Sequence, residues 1–263
     1  MIRAYRALLR ASIGLGLAYR ARLAVWTLSS LFPLLMMAVW LSVVEEVGPT
    51  AGWEVSDFVS YYAGGALLYQ TTTSYLTWVW DADLRSGDMS YKLLKPIEPF
   101  HQYLTQEIGL RAVVLAFLLP ALVALTLIIP ALTYRPGPLG WVAAVAAALV
   151  GFFLNVMMAM AFATIGFWTT QAGNLYSLWW GVGAFLSGWI APLALLPEVV
   201  ADAARLLPFR SSMGFPLEIV LNRLSPREIV EGFAVAAAWI GIFAALYRLG
   251  WRTGIRRYQA VGG

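Results

Sequence analysis

The chain has 263 residues, of which 60% are hydrophobic and only 12% charged. A soluble domain carries about 25% charged residues, so this composition excludes an ordinary soluble fold and makes membrane spans the natural unit of organisation. Cysteine is absent, which excludes disulfides, thiolate metal sites and a cysteine nucleophile, and the net charge of +4 has to be read loop by loop, not as affinity for nucleic acid.

The chain opens on "MIRAYRALLRASIGLGLAYRARLA". Arginines recur through Arg22, and no short apolar core leads to a small-residue cleavage site, so residues 1–22 read as a basic amphipathic segment and not as a signal peptide. Arg3, Arg6 and Arg10 fall at helical spacing, with Leu8, Leu9 and Ile13 for the other face, which suits a helix on the cytoplasmic surface of a membrane. Six stretches then approach the roughly 20 apolar residues that a crossing needs: 23–44, 58–80, 110–132, 141–168, 175–196 and 229–249. The expected fold is an all-α membrane protein, a single domain over residues 1–263 with six transmembrane helices. An even number puts both termini on one side. Thirteen Lys and Arg then lie on that side against five on the other, which makes the termini cytoplasmic. The first outer loop, "EEVGPTAGWEVSD", carries four acids and no base and agrees.

Between spans two and three lies the polar cassette "DADLRSGDMSYKLLKPIEPFHQYLTQE", residues 81–107, with both lysines and the only histidine. Asp81 and Asp83 read as helix-starting residues, Gly87 permits a break, and Pro96 and Pro99 stop a second short helix. Leu84, Leu93, Leu94 and Ile97 set apolar knobs among charges, as a docking element for a soluble partner would; a merely solvated loop is the alternative. His101 reads as an ordinary surface residue. Residues 197–228 read as an outer stretch of short amphipathic helices broken by Pro208, Pro216 and Pro226.

The chain has no G-x-x-x-x-G-K-[ST] loop for ATP, no H-E-x-x-H and no G-x-S-x-G elbow, so no catalytic or metal-binding residue is assigned. Charged residues such as Glu45, Asp57, Arg111 and Glu231 fall at span ends, where snorkelling accounts for them. Uncharged polar groups crowd span two and recur further on: Tyr62, Tyr69, Gln70 and Thr73, then Asn155, Asn174 and Tyr176. They read as a translocation path or as packing through hydroxyls. The glycines at 64, 65, 181, 183 and 188 read as sites of close helix approach.

Three stretches resemble permease subunits of ABC-2-type exporters, in the six-span branch often encoded as tandem pairs. "LRSGDMSYKLLKPI" matches the stretch after span two, "GWIAPLALLPEVVADAARLLPFRSSMGFPLEIVL" the Pro-led turn after span five, and "GWRTGIRRYQAVGG" the ending. The resemblance implies a permease that dimerises with an identical or related chain and binds two ABC ATPases, which hold ATP and Mg while this chain holds no cofactor. It implies a coupling helix in the loop after span two, formed by Asp83, Leu84, Arg85, Gly87, Asp88, Tyr91, Lys92, Leu93 and Lys95. It also implies short extracellular helices after span five near an exit gate. An amphipathic or lipophilic substrate is preferred, since the spans are rich in tyrosine and methionine. A membrane scaffold that recruits a cytoplasmic partner is the alternative from another class, and an intramembrane enzyme is a third.

Overall fold

The computed structural model describes residues 2–18, 31–169 and 171–258. Every regular element among them is helical: α1 (Ile2–Ala18), α2 (Leu31–Val47), α3 (Val55–Thr72), α4 (Leu76–Ser86), α5 (Asp88–Leu93), α6 (Pro99–Ile128), α7 (Gly137–Thr164), α8 (Ala172–Leu186), α9 (Glu198–Leu206), α10 (Gly214–Val220) and α11 (Pro226–Gly254). Among the described residues, three helices are long and apolar enough to cross a membrane: α6, α7 with the 3-10 turn that follows it, and α11 with its own. Expected span one is described from Leu31 onward; its first residues lie outside the described set.

Local chemistry sets the helix ends. Pro99 and Pro226 open α6 and α11, where a missing N–H costs nothing. Ser225 and Glu228 close a reciprocal capping box on α11: Glu228 N donates to Ser225 Oγ at 3.3 Å and Ser225 N donates to Glu228 Oε2 at 2.8 Å. Gly87, at φ +83°, takes the left-handed geometry that ends α4 and starts α5, so the expected break falls where the sequence puts it.

Two expected boundaries move. The cassette is less of a loop than its charge implies, because Asp81 and Asp83 lie inside α4 and residues from Pro99 onward already belong to α6. Span five ends as a helix at Leu186, ten residues early. The carbonyls of the turn beyond it are met by neighbours: Tyr61 Oη donates to Gly188 O at 2.9 Å, Tyr62 Oη and Trp40 Nε1 to Ile190 O at 2.9 and 2.8 Å, and Gly214 N to Ser187 O at 2.9 Å. Irregular backbone inside a bundle is tolerated only when its polar groups are satisfied in this way.

The stretch after span five is more buried than its punctuation suggests. It does form short helices, but residues 208–220 fold inward and are mostly buried. They pack on α7, a 28-residue helix about 42 Å long. At its midpoint, Gly151 lies so close to Ser211 that an added Cβ would sit 2.1 Å from that carbonyl oxygen. Gly64, Gly65 and Gly183 serve close approach, to Leu217, Met213 and Phe209 respectively, whereas Gly181 faces open space.

The N-terminal helix does not lie alone on a surface. Tyr5 meets His101 edge-on with ring centroids 5.5 Å apart, Ser12 lies against Gly109 and Gly16 against Val113. The constant offset means that α1 runs beside α6 in the same direction.

Candidate docking loop and the broken helix behind it

The loop after span two has a braced base and a free tip. Asp83 Oδ2 accepts from Lys92 Nζ at 2.6 Å and from Tyr103 Oη at 2.5 Å, so one carboxylate ties α4, α5 and α6 together. The Lys92 ammonium also lies over the Tyr103 ring, 4.4 Å from its centroid. Gln102 Nε2 donates to Lys92 O and Ile97 O, both at 2.8 Å, which pins the return of the chain. Leu84 packs into the core beside Gly166. Ser90 Oγ and Tyr258 Oη meet at 2.9 Å, joining α5 to the turn after α11.

The tip turns outward. Tyr91 is 69% and Leu94 82% exposed, with Leu93, Lys95, Arg85 and Asp88 also at the surface. Asp88 is held locally by Ser86 Oγ at 2.9 Å, and Arg85 lies 3.9 Å from Asp81. Of the nine residues marked by sequence, Asp83, Leu84 and Lys92 therefore build the base and Gly87 the turn, while the other five face out. Leu94 belongs with those five, and its place among the cassette's apolar knobs was its signal.

Asp81 was missed as a structural residue. Its side chain is buried, and Oδ2 accepts from Gly173 N at 2.7 Å in the first turn of α8, where a carboxylate is favoured. Burial raises its pKa above the usual carboxylate value, against the opposing pull of the Gly173 N–H and Arg85.

Directly behind the loop, expected span two is broken. Residues 73–75 separate α3 from α4. Arg111 and Glu107 of α6, read from sequence as span-end residues, form a buried ion pair across this break. Arg111 Nε donates to Thr71 O at 3.1 Å, and Glu107 Oε1 accepts from Tyr75 N at 3.3 Å. The cation meets a carbonyl at the end of α3 and the anion meets an N–H at the start of α4, each the sign that the helix dipoles favour. The side chains are 12% and 6% exposed, so snorkelling does not explain them. Arg210 and Glu218 make a second buried pair within the inward-folded segment.

Most hydroxyls of span two are engaged by backbone. Thr72 Oγ1 lies 2.8 Å from both Leu68 O and Ser212 O, and Thr77 Oγ1 donates to Ala159 O at 2.8 Å. Among the candidate path residues, Tyr62 holds the turn after α8 and Tyr69 Oη meets Tyr75 Oη at 3.1 Å. Tyr176 is fully buried, with its ring centroid 5.2 Å from that of Trp78. Asn174 is exposed near the start of α8 and bonded to Gln171, and Gln70 is half-buried on α3. Thr73 and Asn155 share a cavity: with Ser187, Trp180, Trp189 and Phe209 they line a space of about 30 Å³, room for a water or two.

A family model described as ABC-2 family transporter protein matches residues 27–262. The chain belongs to the ABC-2 transporter family. No curated protein matches it. Membership makes this chain a multi-pass membrane protein and a permease component of an ABC transporter, a class whose permeases work with separate ABC ATPases. The match runs through the broken helix, the braced loop and the inward-folded segment alike.

Proposed function

We propose that this ABC-2 permease is the path-forming subunit of an ATP-driven exporter in the cell membrane, with six spans and both termini cytoplasmic. It pairs with an identical or related permease and with two ABC ATPases, on which ATP and Mg are bound. The observation that carries this reading is the exposed tip on a braced base. Tyr91, Leu93, Leu94 and Lys95 present apolar and cationic contacts, with Arg85 and Asp88 beside them, while the Asp83 carboxylate holds the tip to two helices. A floppy loop would absorb a push; a braced one passes it to α4.

In this reading, nucleotide-driven closure of the ATPases moves α5 and α4 as one piece, and the break at residues 73–75 lets that motion reorient α3 and α8. The path runs beside span two, with Thr73 and Asn155 at the small cavity, Asn174 on the exposed side of α8, and Tyr62, Tyr69, Gln70 and Tyr176 as the packed wall behind. Uncharged aromatic and hydroxyl groups there suit an amphipathic or lipophilic substrate.

The test is a mild-detergent pull-down of the full chain, with copurifying subunits identified and their ATPase rate measured. Recovery of a nucleotide-binding subunit in equal number supports the reading, and a second permease in the complex makes it a heterodimer. Recovery of this chain alone from membranes where it is abundant sinks the exporter reading and returns the scaffold.

A further inference from the structure

Arginines at the two ends of the bundle are treated differently. At the end away from the docking loop, Arg205 pairs with Asp202, Arg210 with Glu218, Arg223 with Asp57 and Arg227 with Glu231; Arg135 alone there has no carboxylate partner among the described residues. At the docking-loop end, Arg3, Arg6 and Arg10 of α1 and Arg248 and Arg252 of α11 are all exposed. None of these five has a carboxylate partner among the described residues. Arg85 and Arg111 at this end do have carboxylates beside them, Asp81 and Glu107, so these five exposed arginines form a separate set whose counter-charge has to come from outside the described chain.

Geometry says what supplies it. Arg3, Arg6 and Arg10 form a stripe about 10 Å long on the side of α1. Because α1 runs beside α6 with Tyr5 at His101 and Ser12 at Gly109, the stripe stands level with the polar start of that helix. The exposed Leu15 and Leu17 stand level with Val113, where the apolar run of α6 begins. Phe100 meets Tyr247 with ring centroids 5.4 Å apart, so the end of α11 lies against the same first turn of α6. Arg248 and Arg252 follow there one helical turn apart. Cations at one level and bare leucines one step deeper repeat the order of a leaflet, whose headgroup layer adds about 5–8 Å outside the hydrocarbon.

We propose that these stripes bind the headgroups of anionic phospholipids in the leaflet on the docking-loop side. Calling that leaflet cytoplasmic rests on the orientation proposed above; the lipid preference does not.

The experiment uses the full chain in mixed phosphatidylcholine–phosphatidylglycerol vesicles, with spin-labelled lipid of either type as the probe. Labelled phosphatidylglycerol is expected to associate about five-fold or more in excess over labelled phosphatidylcholine, the factor expected for even one well-placed arginine. The preference is expected to fall to near parity in R3Q/R6Q/R10Q/R248Q/R252Q, and in the wild type at high salt. Arg227→Gln, at the other end, leaves it unchanged, and an unaltered thermal transition shows that the multiple variant is folded. Equal association of the two lipids with the wild type overturns the proposal, as does a preference that survives the five substitutions. Loss of ATPase capture with an intact lipid preference in the variant also overturns it, by assigning the arginines to the soluble partner. A wild type that prefers the anionic lipid but captures no ATPase supports the lipid site and sinks the exporter reading alone.

Discussion

Replacing Arg111 by methionine leaves Glu107 charged and 6% exposed with its cation gone, and takes the side-chain donor from Thr71 O. Removing one partner of a buried pair costs about 3–5 kcal/mol. At about 2–4 °C per kcal/mol for a chain of this size, the melting point is expected to fall by about 6–20 °C. Glu107→Gln is milder alone, because the amide oxygen still accepts from Tyr75 N. The decisive variant is the double one. Glu107→Gln with Arg111→Met removes both charges and keeps that acceptor, so it should recover at least about half of the loss caused by Arg111→Met alone, a coupling of about 1.5 kcal/mol or more. The assay is thermal unfolding of the full chain in mild detergent, read by the fluorescence of its 12 tryptophans. Single effects that add to the double effect within about 0.5 kcal/mol would mean that the two residues act independently, and the account of the break as held by a matched ion pair would be refuted.

Three further outcomes are expected. Leu94→Asp and Tyr91→Asp should cut ATPase capture about ten-fold or more in a pull-down, the effect of losing a buried contact worth about 1.4 kcal/mol, while leaving the melting point unchanged because both side chains are exposed. Gly151→Ala should destabilise by about 1–3 kcal/mol, because the new Cβ meets backbone at Ser211, whereas Gly181→Ala, with open space beside it, should be neutral or raise the melting point. The carboxyl of Asp81 has its folded pKa raised by burial, so its ionisation destabilises the fold at neutral pH, and this penalty is relieved as pH falls through the folded value toward the unfolded one near 4. The melting point of the wild type should therefore gain on that of Asp81→Asn as pH is lowered from 7; a constant difference would show that burial does not raise this group.

Much of the architecture is legible in the residue order because it depends on local chemistry. Long apolar runs imply helices wherever they sit, and α6, α7 and α11 stand where the runs are longest. Gly87 ends a helix by its own backbone freedom, and Leu94 was visible as an apolar knob among charges. The exposure of the loop's tip could be read for the same reason: its residues face away from the protein and need no internal partner to give them their character.

What tertiary structure decided are the places where a polar residue meets a partner far along the chain. Arg111 looked like a span-end cation until Thr71 and Tyr75 were seen beside it. Asp81 looked like the first residue of a loop, yet it accepts from Gly173, 92 positions on. Residues 197–228 read as short helices broken by prolines, and only the fold shows that 208–220 among them are buried, with Arg210 meeting Glu218 and Gly151 leaving room for their backbone against α7. Hydropathy counts each residue by what it would cost alone, and burial is governed by what it finds inside. By itself, the sequence determined that this is a helical membrane protein with a polar cassette between apolar runs, and its resemblance to a family placed it among ABC-2 permeases. Only the fold decided which of its charges are exposed and which hold a broken helix together, because pairing removes the cost of burial and depends on distances that residue order does not contain.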